Sequence, residues 1–220
     1  MGILDFILYS LPGIIIGLSL HEFGHAFMAY KLGDKTPERD GRLTLSPMAH
    51  IDPIGLIFIF VAGFGWAKPV RVNPMVFKNQ RRDNFLVAFS GPFMNLVTML
   101  IFLILYRLTL TVIGESLSPN QFLMIRNVFL ASTSINGILL FFNLLPISPL
   151  DGFTVLSGIL PFKHHHKISF LHTHGFIVLI ILLIASRLRL PLIGQLFTLL
   201  VRLPGQVLTE LLQRLVFIGF

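Results

Sequence analysis

Long apolar runs almost free of charge are the feature that most narrows what this chain can become. Residues 96–106, 136–145 and 177–185 hold no Asp, Glu, Lys or Arg. Each run extends into a segment of about 20 residues, the length a helix needs to cross a bilayer. The chain of 220 residues is 54% hydrophobic and 12% charged, with a mean hydropathy of +0.81. Soluble domains carry roughly 25% charged residues. These properties select an all-α polytopic membrane protein.

The formal net charge is +7, but in so apolar a chain the positive-inside rule accounts for it without nucleic acid. Nine of the 17 Lys and Arg lie between Lys31 and Arg82, and none precedes His21. The N-terminus is therefore expected outside, with the stretch after His25 and the loop 163–167 in the cytoplasm. Arg107, Arg126, Arg187 and Arg189 run against this scheme. The chain has no cysteine, which removes disulfides, thiolate ligands and thiol nucleophiles. The first apolar segment lacks a basic leader and is interrupted by His21, Glu22 and His25, so it does not read as a cleavable signal.

About five to six transmembrane helices are expected. The first covers roughly 4–32 and ends in a polar cluster. Residues 42–46 alternate with the period of a strand, and 65–72, containing Pro69, reads as an edge strand. A small membrane-associated β-hairpin or edge-strand element should thus follow the first helix. The apolar stretch 54–66 is about half the length of a span. A full crossing would put Lys68 and Arg71 opposite Lys31 and Arg42, so a re-entrant or surface-lying element is preferred. Segments 84–110 and 122–145 are spanning, and 174–188 and 191–217 supply one or two more. The chain reads as a single transmembrane domain, 1–220, with a core over 1–160 and added helices over 170–218.

His21-Glu22-Phe23-Gly24-His25 is an HExxH pattern. Residues four apart share a helix face, so His21 and His25 can grip one metal ion while Glu22 takes a proton from water. Ionisable groups inside a spanning helix cost roughly 2.5–3.5 kcal/mol each, so three in five positions call for a function. A catalytic zinc usually has three protein ligands, and the chain has ten acids to search. Asp34, Glu38, Asp40 and Asp83 sit among polar or basic residues and need only a solvated role. Asp52 suits a cap, Asp5 and Glu115 lie at a terminus and a turn, and Glu210 belongs to an amphipathic stretch. Asp151 remains, directly after an apolar run, where Pro146 and Pro149 break the helix and Gly152 permits a turn. Asp151 is either the third ligand or the N-cap of the next helix. Asn143 is placed to donate to a substrate carbonyl or to backbone.

HEFGH, followed 126 residues after His25 by Asp151 within N-x-x-P-x-x-x-x-D-G, resembles the paired signature of the site-2 protease family of intramembrane zinc metalloproteases. Leu45-Ser46-Pro47-Met48-Ala49-His50-Ile51-Asp52-Pro53-Ile54-Gly55, Gly65-Trp66-Ala67-Lys68-Pro69-Val70 and Gly91-Pro92-Phe93-Met94-Asn95 are similar to its short prokaryotic branch, which lacks PDZ and CBS domains. The resemblance implies one zinc ion on His21, His25 and Asp151, with Glu22 as general base and Asn143 at the substrate. It also implies that Gly91, Pro92 and Asn95 support the site from nearby. Ser148 departs from the proline common in relatives but leaves every ligand in place.

The expected activity is hydrolysis of peptide bonds in membrane-spanning proteins, in the cell membrane and toward its cytoplasmic side. Substrate would bind by strand addition along Trp66, Ala67, Lys68 and Val70. Three other readings compete. A membrane HExxH protease with a glutamate ligand has only Glu210 to offer. A metal transporter needs ionisable groups along a path. A catalytically silent relative would act as an escort or sensor of membrane helices. His164, His165, His166, His172 and His174 suit a solvated loop near the headgroups, and His50 suits a structural hydrogen bond.

Overall fold

The computed structural model describes residues 3–62, 64–188 and 191–217. It is built from α1 (Ile3–Lys31), the single turns α2 (Thr36–Arg39) and α3 (Pro47–His50), α4 (Pro53–Ala62), α5 (Gln80–Ile113) and α6 (Pro119–Asn143). There follow α7 (Asp151–Ile159), α8 (His165–Thr173), α9 (Gly175–Arg187), α10 (Pro191–Phe197) and α11 (Leu203–Val216). Helices α1, α5 and α6 form the central bundle, α7 lies on α5, and α11 closes against α6.

Among the described residues, two helical stretches are long and apolar enough to cross a membrane, Gln80–Ser116 and Pro119–Asn143. A third exists if α8 and α9, bent by 62° at their junction, act as one span. Among the described residues this is below the five to six expected, the stretch 174–217 being divided among α9, α10 and α11. Only 28% and 33% of the most apolar windows of the two long stretches are buried inside the molecule. Such exposed apolar surface belongs against lipid rather than water, which makes the chain membrane-associated.

Small residues let the bundle close. A Cβ on Gly13 would stand 2.5 Å from Ser132 Cα, and one on Gly17 would stand 2.1 Å from Asn136 Oδ1. Glycines one turn apart therefore admit the α6 backbone and side chains, the close approach that membrane helices use in place of a hydrophobic driving force. Helix α6 begins on a capping box in which the Ser118 hydroxyl accepts from Gln121 N–H and the Gln121 side chain accepts from Ser118 N–H.

The hairpin expected after α1 does not form. Among the described residues there is no strand, and an isolated antiparallel bridge joins Ile51 to Ala67. Three causes are visible. Pro69 has no N–H to give a ladder, and residues 47–50 wind into α3. The third is Arg42, whose buried guanidinium donates to the carbonyls of Ala49 (2.5 Å), Lys68 (2.9 Å) and Pro69 (3.2 Å), acceptors a neighbouring strand would otherwise use. Helix α4 is 10 residues long, about 15 Å by its rise and too short to cross. The chain doubles back after it, since a Cβ on Gly55 would meet the Trp66 carbonyl oxygen at 2.1 Å and the Phe58 and Trp66 rings sit 5.1 Å apart.

Two acids expected to be solvated are buried, Asp34 and Asp83, each 1% exposed. Asp34 accepts backbone N–H groups from Thr36 (2.9 Å) and Asn73 (2.7 Å), tying the loop after α1 to the segment before α5. Burial alone would raise its carboxyl, but these bonds outweigh it and hold the group below its ordinary range. Asp83 accepts from Asn79 N–H and Arg82 Nε. At the other end of α7, Arg81 donates to the carbonyls of Gly158, Ile159 and Leu160 at 2.8, 2.8 and 2.9 Å, clamping α7 onto the start of α5.

Replacing Arg42 with Met keeps the unbranched apolar stem of the side chain and removes all three bonds. A hydrogen bond from a charged group contributes roughly 1.5–3 kcal/mol, so losing the set releases segment 65–72. Amide exchange at Lys68 and Val70 is expected to accelerate by at least about tenfold, with exchange in α5 and α6 unchanged. Equal protection in wild type and Arg42→Met would show that the segment is held by something else.

Candidate metal centre

One turn of α1 separates His21 from His25, so both rings leave one face of the helix. Their Nε2 atoms stand 3.1 Å apart, with the ring planes at 85°. Asp151, the first residue of α7, brings Oδ2 to 3.2 Å from His21 Nε2 and 3.3 Å from His25 Nε2. It does not cap its own helix, because Leu150 occupies that position and makes no side-chain cap bond. The carboxylate is turned onto the two imidazoles instead.

Each imidazole is oriented through its other nitrogen. His25 Nδ1–H donates to the Val87 carbonyl at 2.7 Å, and His21 Nδ1–H donates to Asn95 Oδ1 at 2.8 Å. Acceptors in those places leave both Nε2 atoms as bare lone pairs aimed at one point. Asp151 Oδ2 is buried and has no hydrogen-bond donor. Three lone pairs that face one another without a proton repel unless a cation lies between them. Zinc ligands stand about 2.0–2.1 Å from the ion in a tetrahedron, which separates neighbouring donor atoms by roughly 3.3 Å. The observed edges of 3.1, 3.2 and 3.3 Å are one face of such a tetrahedron. The donor set fits zinc, with the fourth corner left for water or substrate.

The space around the rings is as constrained as their orientation. A Cβ on Gly91 would stand 2.3 Å from His25 Nε2 and 2.7 Å from His21 Cε1, so α5 can pass over the site only without a side chain there. Pro92, beside it, is fully buried, and Asn95 one turn on supplies the acceptor for His21. The role of Gly152 is also room rather than turning freedom. It is helical, without a positive φ, and a Cβ there would meet the Leu144 carbonyl oxygen at 2.2 Å.

Glu22 lies beside the trio on α1, buried, and its Oε2 accepts the Val70 N–H at 2.9 Å. Of the four strand positions expected to bind substrate, Val70 is thus the one bonded to a site residue. The Lys68 N–H goes to the His50 carbonyl, Ala67 bridges Ile51, and the Trp66 ring packs on Phe58. Asn143, the last residue of α6, donates its amide to the Leu139 carbonyl of its own helix at 3.0 Å. His50 accordingly makes a structural bond, Nε2 to the Thr44 carbonyl. His165 bonds the Leu160 carbonyl, and His172 and His174 lie against the rings of Phe153 and Phe170. None of them joins a metal-holding group among the described residues. Two contributors escaped the sequence reading. The Val87 carbonyl leaves no trace in a sequence, whereas Asn136, fully buried behind Asn95, is a polar residue within an apolar run and was open to notice.

A helical, membrane-associated chain with two buried histidines, a half-buried aspartate turned onto them and an adjoining glutamate has the make-up of a membrane metalloenzyme. It is 38% identical over 181 residues to YwhC of Bacillus subtilis, named as a zinc metalloprotease, covering 80% of each chain. It is 32% identical over 184 residues to Rip2 of Mycobacterium tuberculosis H37Rv, similarly named, covering 81% of this chain and 67% of that one. Rip2 of Mycolicibacterium smegmatis matches at 32% over 187 residues, with the same coverage. The chain belongs to the family of these proteins, the site-2 protease family. No family model and no solved structure matches it.

Gly91→Ala forces a methyl group into both rings. Overpacking of this kind costs about 1–3 kcal/mol, and displaced ligands lose metal affinity by roughly 10–100-fold. Chelator competition should register that loss while helix content by circular dichroism stays constant. Unchanged affinity would mean that the rings are not confined as described.

Proposed function

We propose that this chain is a zinc metalloprotease of the cell membrane that hydrolyses peptide bonds within membrane-spanning segments of other proteins. The observation that carries the reading is the convergence of His21 Nε2, His25 Nε2 and Asp151 Oδ2, all within 3.3 Å of one another, with Glu22 on the same turn of helix. These three residues would hold one zinc ion. Bound zinc supplies a Lewis acid that makes water a usable nucleophile near neutral pH. The names carried by the relatives support the same chemistry.

Glu22 is the proton carrier. The Val70 N–H fixes one of its oxygens, and a carboxylate has lone pairs enough to take the proton of the attacking water as well. It then gives that proton to the departing amine. Its burial keeps bulk water from competing for the same proton. Segment 65–72 lies extended beside it, and an unwound substrate would pair with this backbone by strand addition. Asn143 can turn its amide to a substrate carbonyl by giving up the Leu139 bond. The apolar outer face of the bundle gives a spanning substrate access from lipid. In this reading the protein is multi-pass with its N-terminus outside and its site toward the cytoplasmic side, which the charge distribution supports.

Wild type, Glu22→Gln and Asp151→Ala, purified in detergent with a model spanning substrate, separate the parts of this reading. Wild type is expected to hold about one zinc per chain and to cut, one site with three protein ligands taking one ion. Glu22→Gln keeps zinc and loses cleavage by roughly 10²–10⁴-fold, and Asp151→Ala loses the metal. Zinc without cleavage in wild type, across several spanning substrates, would make the chain a silent relative that binds membrane helices. Wild type free of zinc when prepared without chelator would remove the site.

A further inference from the structure

The two metal-facing histidines take their orientation from unlike partners. His25 donates to a backbone carbonyl, Val87, which can only accept. His21 donates to a carboxamide, Asn95, which presents an oxygen on one side and an NH₂ on the other. Turned by 180°, Asn95 would offer a donor to His21 Nδ1. The ring proton would then move to Nε2, the atom that must be bare to bind a metal. Something has to forbid that turn.

The polar groups behind Asn95 forbid it in sequence. Asn136 Nδ2 lies 3.0 Å from the Gly13 carbonyl and 2.9 Å from the Ser132 carbonyl. Both partners are acceptors, so the Asn136 NH₂ must face them and its Oδ1 must face the other way. Oδ1 accordingly accepts from Asn95 Nδ2 at 3.0 Å, and the Gly17 carbonyl accepts from the same nitrogen at 3.3 Å. With its NH₂ committed there, Asn95 has its oxygen left for His21. Both asparagines are 0% exposed, so no solvent competes, and each reversed amide would set acceptor against acceptor in an apolar interior.

We propose that Asn136 is a positioning residue. It sits on α6, touches neither metal nor substrate, and acts through Asn95 to keep the His21 proton on Nδ1 and Nε2 bare. The inference rests on the metal-site reading of His21, but its signature is present in the metal-free chain. The tight approach of α1 at Gly13 and Gly17 is what brings the two orienting carbonyls within reach.

The test is the ¹⁵N spectrum of the histidine rings in metal-free, histidine-labelled protein in detergent, with His21 and His25 assigned from His21→Gln and His25→Gln. In wild type, at a pH where the rings are neutral, both carry the proton on Nδ1. In Asn136→Leu, His21 is expected to become a mixture of tautomers and His25 to stay as it was. Zinc affinity by chelator competition should fall on the order of tenfold. Adding Asn95→Asp to Asn136→Leu restores the His21 tautomer, since a carboxylate accepts from either side. A purely packing role for Asn136 would disturb both histidines together, and the aspartate would not rescue it. The proposal is overturned by a His21 proton on Nε2 in wild type, or by a His21 tautomer that ignores Asn136→Leu. Should Asn136→Leu not fold, the wild-type spectrum and Asn136→Thr, expected to mix the tautomer of His21 alone, decide in the same way. A tautomer that follows residue 136 in a protein that binds no zinc supports this inference and removes the metal reading. Zinc binding and cleavage with the tautomer unmoved do the reverse.

Discussion

Three lone pairs pointed at one another inside an apolar bundle are the constraint on which the rest of this structure depends. His21, His25 and Asp151 are each tolerable alone. Together, with a buried carboxylate oxygen lacking any donor, they make a site that calls for a shared positive charge, a proton or a metal ion, between them. The bundle therefore has to hold them in place against their own repulsion until a cation is shared. It does so from behind each ring, through the Val87 carbonyl, the Asn95 amide and the α7 backbone that carries Asp151.

That demand explains features of the fold that packing of apolar side chains would not require. Helix α1 carries glycine where it meets α6, and α5 carries glycine where it crosses the imidazoles. Larger residues in either place would bury more apolar area. Their absence brings polar atoms of three helices within hydrogen-bond range of one another. Close approach is thus the means by which helices surrounded by lipid come to share a polar interior.

Most of what could be read from the sequence concerned chemistry carried by single residues at short spacing. The four-residue interval of His21 and His25 places two rings on one face whatever the tertiary fold, and Asp151 emerged because a chain with ten acids can be searched in full. What stayed hidden depended on partners distant in the chain. Asp34 and Asp83 look solvated among charged neighbours, yet backbone N–H groups and Arg82 satisfy them in the interior. The alternation over 42–46 suggested a strand, but the Arg42 guanidinium takes the carbonyls a ladder would need. The Asn136 contribution required knowing that α6 lies against Gly13 and Gly17.

The clamp at the far end of α7 has a consequence for how the third ligand is located. Arg81 holds the carbonyls that close α7, while Asp151 opens it opposite the part of α5 near Gly91. Ten residues of α5 separate Arg81 from Gly91, about 15 Å. Helix α7, with nine residues, measures roughly 13 Å. The two run side by side as a pair of matched rulers, so the reach of the carboxylate is set by the length of a helix and not by the loop 144–150 that leads into it. A residue added to that loop could be absorbed as slack. One added within α7 would turn Asp151 by about 100° around the helix axis, with no slack to take it up.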